Sequence, residues 1–199
     1  MRFAKRSGMR VLVVDESPER ADILREGLRR AGYEVSASLS SPGSLLATIE
    51  QLKPDVIVID TESPSRDVLE HLVVVTQHTP RPVVMFSSDG APETIREAVR
   101  AGVSAYVVDG MEPDRIRAII DVAVAQFEDF QRLREALAEA NLRLAERNLV
   151  ERAKGLLMKH RSLDEQAAYA LLRKFAMDRK LRLSQVAQQL IDAADLLGA

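Results

Sequence analysis

The chain has 199 residues, 46% of them hydrophobic and 4% aromatic, with 28 Lys/Arg against 30 Asp/Glu. That is enough for one good core plus a small second module. There is no cysteine, which excludes a disulfide framework and a thiolate metal site and fits a reducing, cytoplasmic setting.

His71, His78 and His160 are scattered and offer no metal-ligand spacing. No apolar run reaches the ~18 residues a membrane span needs, so no membrane partner is expected. The start, "MRFAKRSGMR", is basic without an apolar signal core, and residues 1–8 are expected to form a disordered tail. Charge is uneven. Residues 1–144 carry 18 Lys/Arg against 23 Asp/Glu, whereas residues 145–199 carry 10 against 7. The basic C-terminal part hints at an anionic partner.

In chain order, "VLVVDES" (11–17) reads as a β-branched strand ending in acids. A helix follows over 18–35, with Pro18 at its start, Ile23, Leu24 and Leu28 apolar, and Gly32 as a stop. "YEVSASL" is strand-like, "PGSLLATIEQLK" a short helix and "PDVIVIDTE" a buried strand. "RDVLEHLVVVTQH" has a helical pattern despite its valines. "RPVVMFSSDG" is a strand opening a loop, "PETIREAVRAGV" a helix and "SAYVVDG" a strand. Short apolar strands alternating with helices predict a doubly wound five-strand parallel sheet covered on both faces, over residues 9–124.

In such sheets the chemistry sits beyond the C-terminal strand ends. Those ends place Asp15 and Glu16 after strand one, Asp60 after strand three, Ser87 and Ser88 after strand four and Asp109 after strand five. Carboxylates that meet at one edge need a shared proton or a divalent cation. Oxygen-only ligands suit Mg²⁺, which predicts a metal site of Asp15, Glu16 and Asp60. A carboxylate beside Mg²⁺ can become an aspartyl phosphate.

"VLVVDES", "VIVIDTESPSRD", "VVMFSS" and "SAYVV" resemble a response-regulator receiver domain, of flavodoxin-like fold. The resemblance covers about 115 residues. It implies Asp15 and Glu16 as the acidic pair and Asp60 as the phosphoacceptor, with Pro64 four residues on and Asp67 seven on. It implies Ser87 as the switch hydroxyl and Tyr106 as the switch aromatic. The family has a lysine at the end of strand five, where this chain has Asp109. An anion there disfavours a phosphoryl dianion, so Asp60 is expected to be a poor phosphoacceptor and the domain a surface for a protein partner.

The last receiver helix is not interrupted. From Pro113 to His160 there is no further proline, and no glycine until Gly155. From Phe130 onward apolar residues recur at three and four through Leu133, Leu137, Ala140 and Leu144. That is a heptad seam, and residues 125–144 are expected to form a coiled-coil linker that makes a homodimer. The other arrangement is a helix lying back on its own receiver.

Residues 145–199 are expected to form a three-helix module. "RSLDEQ" suggests a capping box of Ser162 and Glu165 at a new helix start. Ala168, Leu171, Leu172, Phe175 and Ala176 mark one face, and Val186, Leu190, Ile191 and Ala194 mark a face of the third helix. Gly155 costs about 1 kcal/mol in a helix interior. With Ala153 it is expected to allow a close helix crossing that fixes Lys154 as a projecting charge.

"RNLVERAKGLLM" followed by "DEQAAYALLRKFAMDRKLRLSQVAQQLI" resembles the ANTAR domain, the RNA-binding module of certain antitermination regulators. With a receiver in front, the chain is similar to response regulators of the NasT/AmiR antiterminator type. That resemblance implies binding to paired stem-loops of a leader transcript, and control by a sensor kinase or by a sequestering, nitrate-responsive sensor protein. It implies no enzyme activity. Arg147, Lys154, Lys159, Arg173, Lys174, Lys180 and Arg182 are the expected RNA contacts, around Tyr169. The scarcity of aromatics argues against a base-stacking platform and for loop and backbone recognition. The alternatives are a DNA-binding response regulator, for which no clear recognition helix is evident, and a protein-interaction or phosphotransfer adaptor.

Overall fold

The computed structural model describes residues 8–15, 17–40, 45–109 and 113–196, the side chains of 113 and 114 excepted. Glu16, most of the N-terminal tail and the first residues of "PGSLLATIEQLK" lie outside them.

Five strands and seven helices follow one another: β1 (Arg10–Asp15), α1 (Pro18–Arg30), β2 (Glu34–Leu39), α2 (Leu45–Leu52), β3 (Val56–Thr61), α3 (Arg66–His78), β4 (Val83–Ser87), α4 (Pro92–Arg100), β5 (Ala105–Val108), α5 (Pro113–Arg161), α6 (Glu165–Arg179) and α7 (Leu183–Leu196). The chain divides into two units, 1–131 and 132–199.

In the first unit the sheet order is β2-β1-β3-β4-β5, with every pairing parallel. Parallel strands need covered faces, and alternate residues supply both. Leu12, Val14, Ile57, Ile59, Val83 and Met85 pack on α2, α3 and α4. Val11, Val13, Val56, Val58, Val84 and Phe86 pack on α1 and the start of α5, through Leu24, Leu28, Ile116 and Ile120. The helix expected over 18–35 stops at Arg30, and β2 begins at Glu34. Its buried stripe is Ala21, Leu24 and Leu28; Ile23, expected on that stripe, is exposed. Gly102 is required where it stands: its φ is +101°, and a Cβ would meet Thr76 at 2.5 Å.

The second unit closes around Ala153, Leu157, Ala168, Leu172, Ala176, Val186, Ala187 and Ile191. Half of these are alanine, so the helices approach closely and the core is thin. Helix α5 runs 49 residues through both units. Along it Phe130, Leu133, Leu137 and Leu144 are 57–68% exposed.

Two expectations about this unit are corrected. Gly155 does not form the close crossing: it is exposed, and a Cβ there would meet nothing within 4 Å. Ala153, fully buried, is the small residue at the crossing. The cap of α6 is not Ser162 but Asp164, whose side chain accepts the Ala167 N–H at 2.7 Å. Ser162 adopts a left-handed φ of 52°, and Glu165 points elsewhere, as described below.

Candidate functional site

The β1–β3 register sets Asp15 directly beside Asp60 at the C-terminal edge of the sheet. The neighbouring β3–β4 register sets Thr61 beside Ser87. Both aspartates are buried, at 3% and 9% exposed. The Asp15 carboxylate accepts the Ser17 N–H at 2.7 Å. Loss of water around Asp60, and next the adjacent Asp15, push its carboxyl above the ordinary 3.8; the Arg20 guanidinium opposes that rise.

Arg20 is the residue that sequence reasoning missed. It stands in the first turn of α1, capped by Ser17. Its Nε lies 3.7 Å from Asp15 Oδ1 and 3.8 Å from Asp60 Oδ2, and its Nη1 lies 3.4 Å from Glu62 Oε1. The position five residues after Asp15 was the only signal, and its meaning depends on where α1 starts.

Ser87 is buried; its hydroxyl donates to the Glu62 carbonyl at 2.9 Å and accepts the Asp89 N–H at 3.1 Å. Tyr106, half-buried, donates its hydroxyl to the Asp89 carbonyl at 2.8 Å. The Asp89 carboxylate accepts from Ser63 Oγ at 2.8 Å and Thr94 Oγ1 at 3.1 Å. Ser87 and Tyr106, expected as switch residues, therefore converge on the loop after β4. Asp109 is exposed, with φ 43°, and its N–H donates to the Ser87 carbonyl at 3.1 Å. Among the described residues, the charged side chains that shift Asp60 are Asp15 and Arg20.

Receiver domains typically bind Mg²⁺. Here Asp15 and Asp60 offer oxygen-only donors under mutual repulsion, the kind of pair a hard divalent cation relieves. The residues fit the ion, and Asp15 and Asp60 would hold it. Glu16, expected as a third ligand, lies outside the described residues, among which no group of three His, Cys, Asp or Glu is placed to hold a metal.

In the second unit the expected contacts separate. Arg147, Lys159, Arg173, Lys174, Lys180 and Arg182 are exposed. Lys154 does not project as expected. It is 7% exposed, and its Nζ lies 2.7 Å from Glu165 Oε1 and 2.9 Å from Glu151 Oε2. The hydrogen bonds it donates to Glu165 and Glu151 hold the Lys154 ammonium above its ordinary 10.5, and Lys154 holds the Glu165 carboxyl below 4.5. Residue 154 is buried on the same turn as Ala153, so burial follows from its place on α5. Tyr169 is 44% exposed. Arg173 follows it by four residues and shares its face. Lys174, about 100° further round the helix, flanks a shallow groove with Arg161, Leu163, Ala167, Ala170 and Leu171. Helix α6 thus carries cations on two flanks, and Arg161 joins the set. Arg179 lies 5.7 Å from the centre of the Phe175 ring.

Among the described residues no helix is long and apolar enough to cross a membrane.

Comparison with known proteins gives two family matches: the response regulator receiver domain over residues 11–121 and the ANTAR domain over residues 131–191. The transcriptional regulatory protein PdtaR of Mycobacterium tuberculosis is 30% identical over 184 residues, covering 92% of this chain and 89% of that protein. The chemotaxis protein CheY of Thermotoga maritima is 26% identical over 110 residues, covering 55% of this chain and 92% of its own. Among solved structures, a CheY-like receiver domain from Methanospirillum hungatei matches the fold at TM-score 0.54 and 24% identity, covering 62% of this chain and 98% of that one. The sheet order, the two family matches and a relative aligned through both of its parts lead to one conclusion: the chain belongs to the receiver–ANTAR response regulators, a non-enzymatic family of transcriptional regulators.

Proposed function

We propose that this regulator acts as a cytoplasmic transcription antiterminator that binds paired stem-loops of a leader RNA through residues 145–199. In this reading residues 9–124 receive the signal and residues 125–144 pair two copies. The carrying observation is the set of six exposed cations, Arg147, Lys159, Arg173, Lys174, Lys180 and Arg182, none ion-paired among the described residues. They surround a core that is already closed by its own three helices. Cations without acid partners on a small folded module suit phosphate contacts, and helix-borne Arg and Lys suit looped RNA. Lys154, saturated by two carboxylates, acts by holding α5 against α6 and not by direct contact.

The exposed seam on α5 supports a dimer. Phe130, Leu133, Leu137 and Leu144 repeat at heptad spacing, and a second copy of the same seam is the partner that matches their period. Two modules on one dimer would engage two hairpins and gain avidity of roughly 10²–10⁴.

Control enters at Asp60. In this reading its carboxylate is the phosphoacceptor, a poor one without the strand-five lysine, and Asp15 and Asp60 would hold a Mg²⁺ that would supply charge neutralisation. Ser87 and Tyr106 read the change through the Asp89 loop. A kinase or a sequestering sensor protein supplies the signal.

Gel shift of the full chain against a tandem-hairpin RNA and duplex DNA of equal length tests the reading. Preference for the RNA, with affinity falling by a log–log salt slope of about −0.7 per phosphate contact, is the expected result. Equal affinity for duplex DNA would remove it.

A further inference from the structure

The first turn of a helix is an unfavourable place for a cation, because the unpaired N–H groups there carry partial positive charge. Arg20 sits in that turn of α1. Its side chain lies against two buried carboxylates, with Nε 3.7 Å from Asp15 and 3.8 Å from Asp60. These separations are too long for hydrogen bonds and short enough for strong charge interaction. Nη1 reaches a third carboxylate, Glu62, on the loop after β3. The cleft is bounded by Ser17, Arg20, Thr61, Glu62 and Ser63. At the end of β5, where a lysine would help to neutralise this edge, the chain has an exposed aspartate, Asp109.

We propose that Arg20 is the resident counter-ion of the acidic site: its guanidinium takes the charge-compensating place between Asp15 and Asp60, and a divalent cation binds there by displacing it. The proposal rests on the reading of Asp15 and Asp60 as a divalent-cation site. Three features argue for it together. Arg20 spans both aspartates at nearly equal distance, as a counter-ion shared by the pair does. Its side chain is one-third exposed, so it has a route out to solvent. Its outer nitrogen is tied to Glu62, an 83% exposed side chain that can move with it. Displacement also matters to the switch, since the Glu62 carbonyl is what Ser87 holds.

The test uses the full chain in three forms: wild type, Arg20→Lys and Arg20→Gln. Mn²⁺ uptake is followed by electron paramagnetic resonance, and melting is followed in EDTA and in rising Mg²⁺. The Gln variant is expected to bind Mn²⁺ at least about tenfold more tightly than wild type, because a positive charge has left the site. The Lys variant should fall between them. In EDTA the Gln variant should melt lowest, and saturating Mg²⁺ should close that gap. Mn²⁺ uptake by the Gln variant that equals or falls below wild type, including none at all, overturns the proposal. Uptake that survives an added Asp60→Asn change also overturns it, since the ion is then elsewhere. Should the Gln variant fail to fold, tighter uptake by the Lys variant than by wild type decides in favour, and equal or weaker uptake against. Failure of acetyl phosphate to modify Asp60 in wild type would sink the phosphoacceptor reading alone and leave the Mn²⁺ order standing.

Discussion

Each unit of this molecule buries charge, and the two do so in opposite ways. The receiver buries two like charges, Asp15 and Asp60, beside one guanidinium at more than hydrogen-bonding distance. The ANTAR unit buries one charge, Lys154, and meets it with two carboxylates at hydrogen-bonding distance. The consequences differ in sign. Asp60 is pushed towards its neutral form, whereas Lys154 and Glu165 are both pushed towards their charged forms. In the first pair repulsion is only partly offset by a guanidinium, which on the proposed reading leaves it able to take up a cation. A buried charge that is fully met is a fastener. Residue type already points to the acidic pair as a cation site, but it makes Lys154 a contact.

The largest effect is expected where the thinner core is cut. Leu172 is 1% exposed at the centre of the ANTAR unit, and Leu172→Ala should cost about 3 kcal/mol. The module has half its core in alanine, so hydrogen exchange in residues 145–196 should lose protection while the sheet strands keep theirs. Uniform loss across both units would break the comparison.

Next is the division between exposed and buried cations. Arg173→Ala should weaken binding to a tandem-hairpin RNA by about tenfold, and it should shallow the salt slope by roughly 0.7. Its circular dichroism should be unchanged. A Lys154→Met variant, by contrast, should lose RNA affinity only in step with melting of the module. Affinity lost at full stability would return Lys154 to the contact surface.

Asp60→Asn should raise the metal-free melting temperature at neutral pH by about 2–4 °C, by removing one of two facing anions. A group with a raised folded value stabilises below its ordinary 3.8, and that contribution is lost as pH rises through the folded value. The gain from the substitution should therefore shrink as the solution is acidified through that range. A gain that grows on acidification would contradict the raised value.

The smallest effect is expected at Glu165. Its carboxyl is held below 4.5 by Lys154, so its contribution is present above 4.5 and lost as pH falls through the lower folded value. Glu165→Gln should leave a slight loss of stability at neutral pH that vanishes in acid. Melting scans from neutral pH down to about pH 3 check this sign against the opposite one at Asp60.

Much of the fold was legible because hydrophobic period is a local property. The run "VIVIDTE" could only be a strand buried on both faces, and the alternation of such runs with amphipathic helices leaves few topologies. Asp15, Asp60 and Ser87 were equally legible, since strand-end positions follow once the strands are placed. Legibility failed at Arg20, Lys154, Gly155 and Ser162. At Arg20 and Lys154 the role depends on which turn of a helix faces a neighbour, whereas Gly155 lies on the open side of α5 and Ser162 in the link between α5 and α6. One residue of rotation is about 100°, enough to move a lysine from solvent to an interface.

The sequence by itself determined the strand and helix order, the edge that carries the acids, the uninterrupted helix and the basic character of the C-terminal module. These follow from periodicity, chain breakers and composition, all of which act within a few residues. Only the tertiary structure decided which charges meet. The register of β1 on β3 brings Asp15 to Asp60, the start of α1 brings Arg20 to both, and the crossing of α5 with α6 hands Lys154 to Glu165. Charge interactions depend on distances of a few ångströms between residues far apart in the chain, and packing fixes those distances.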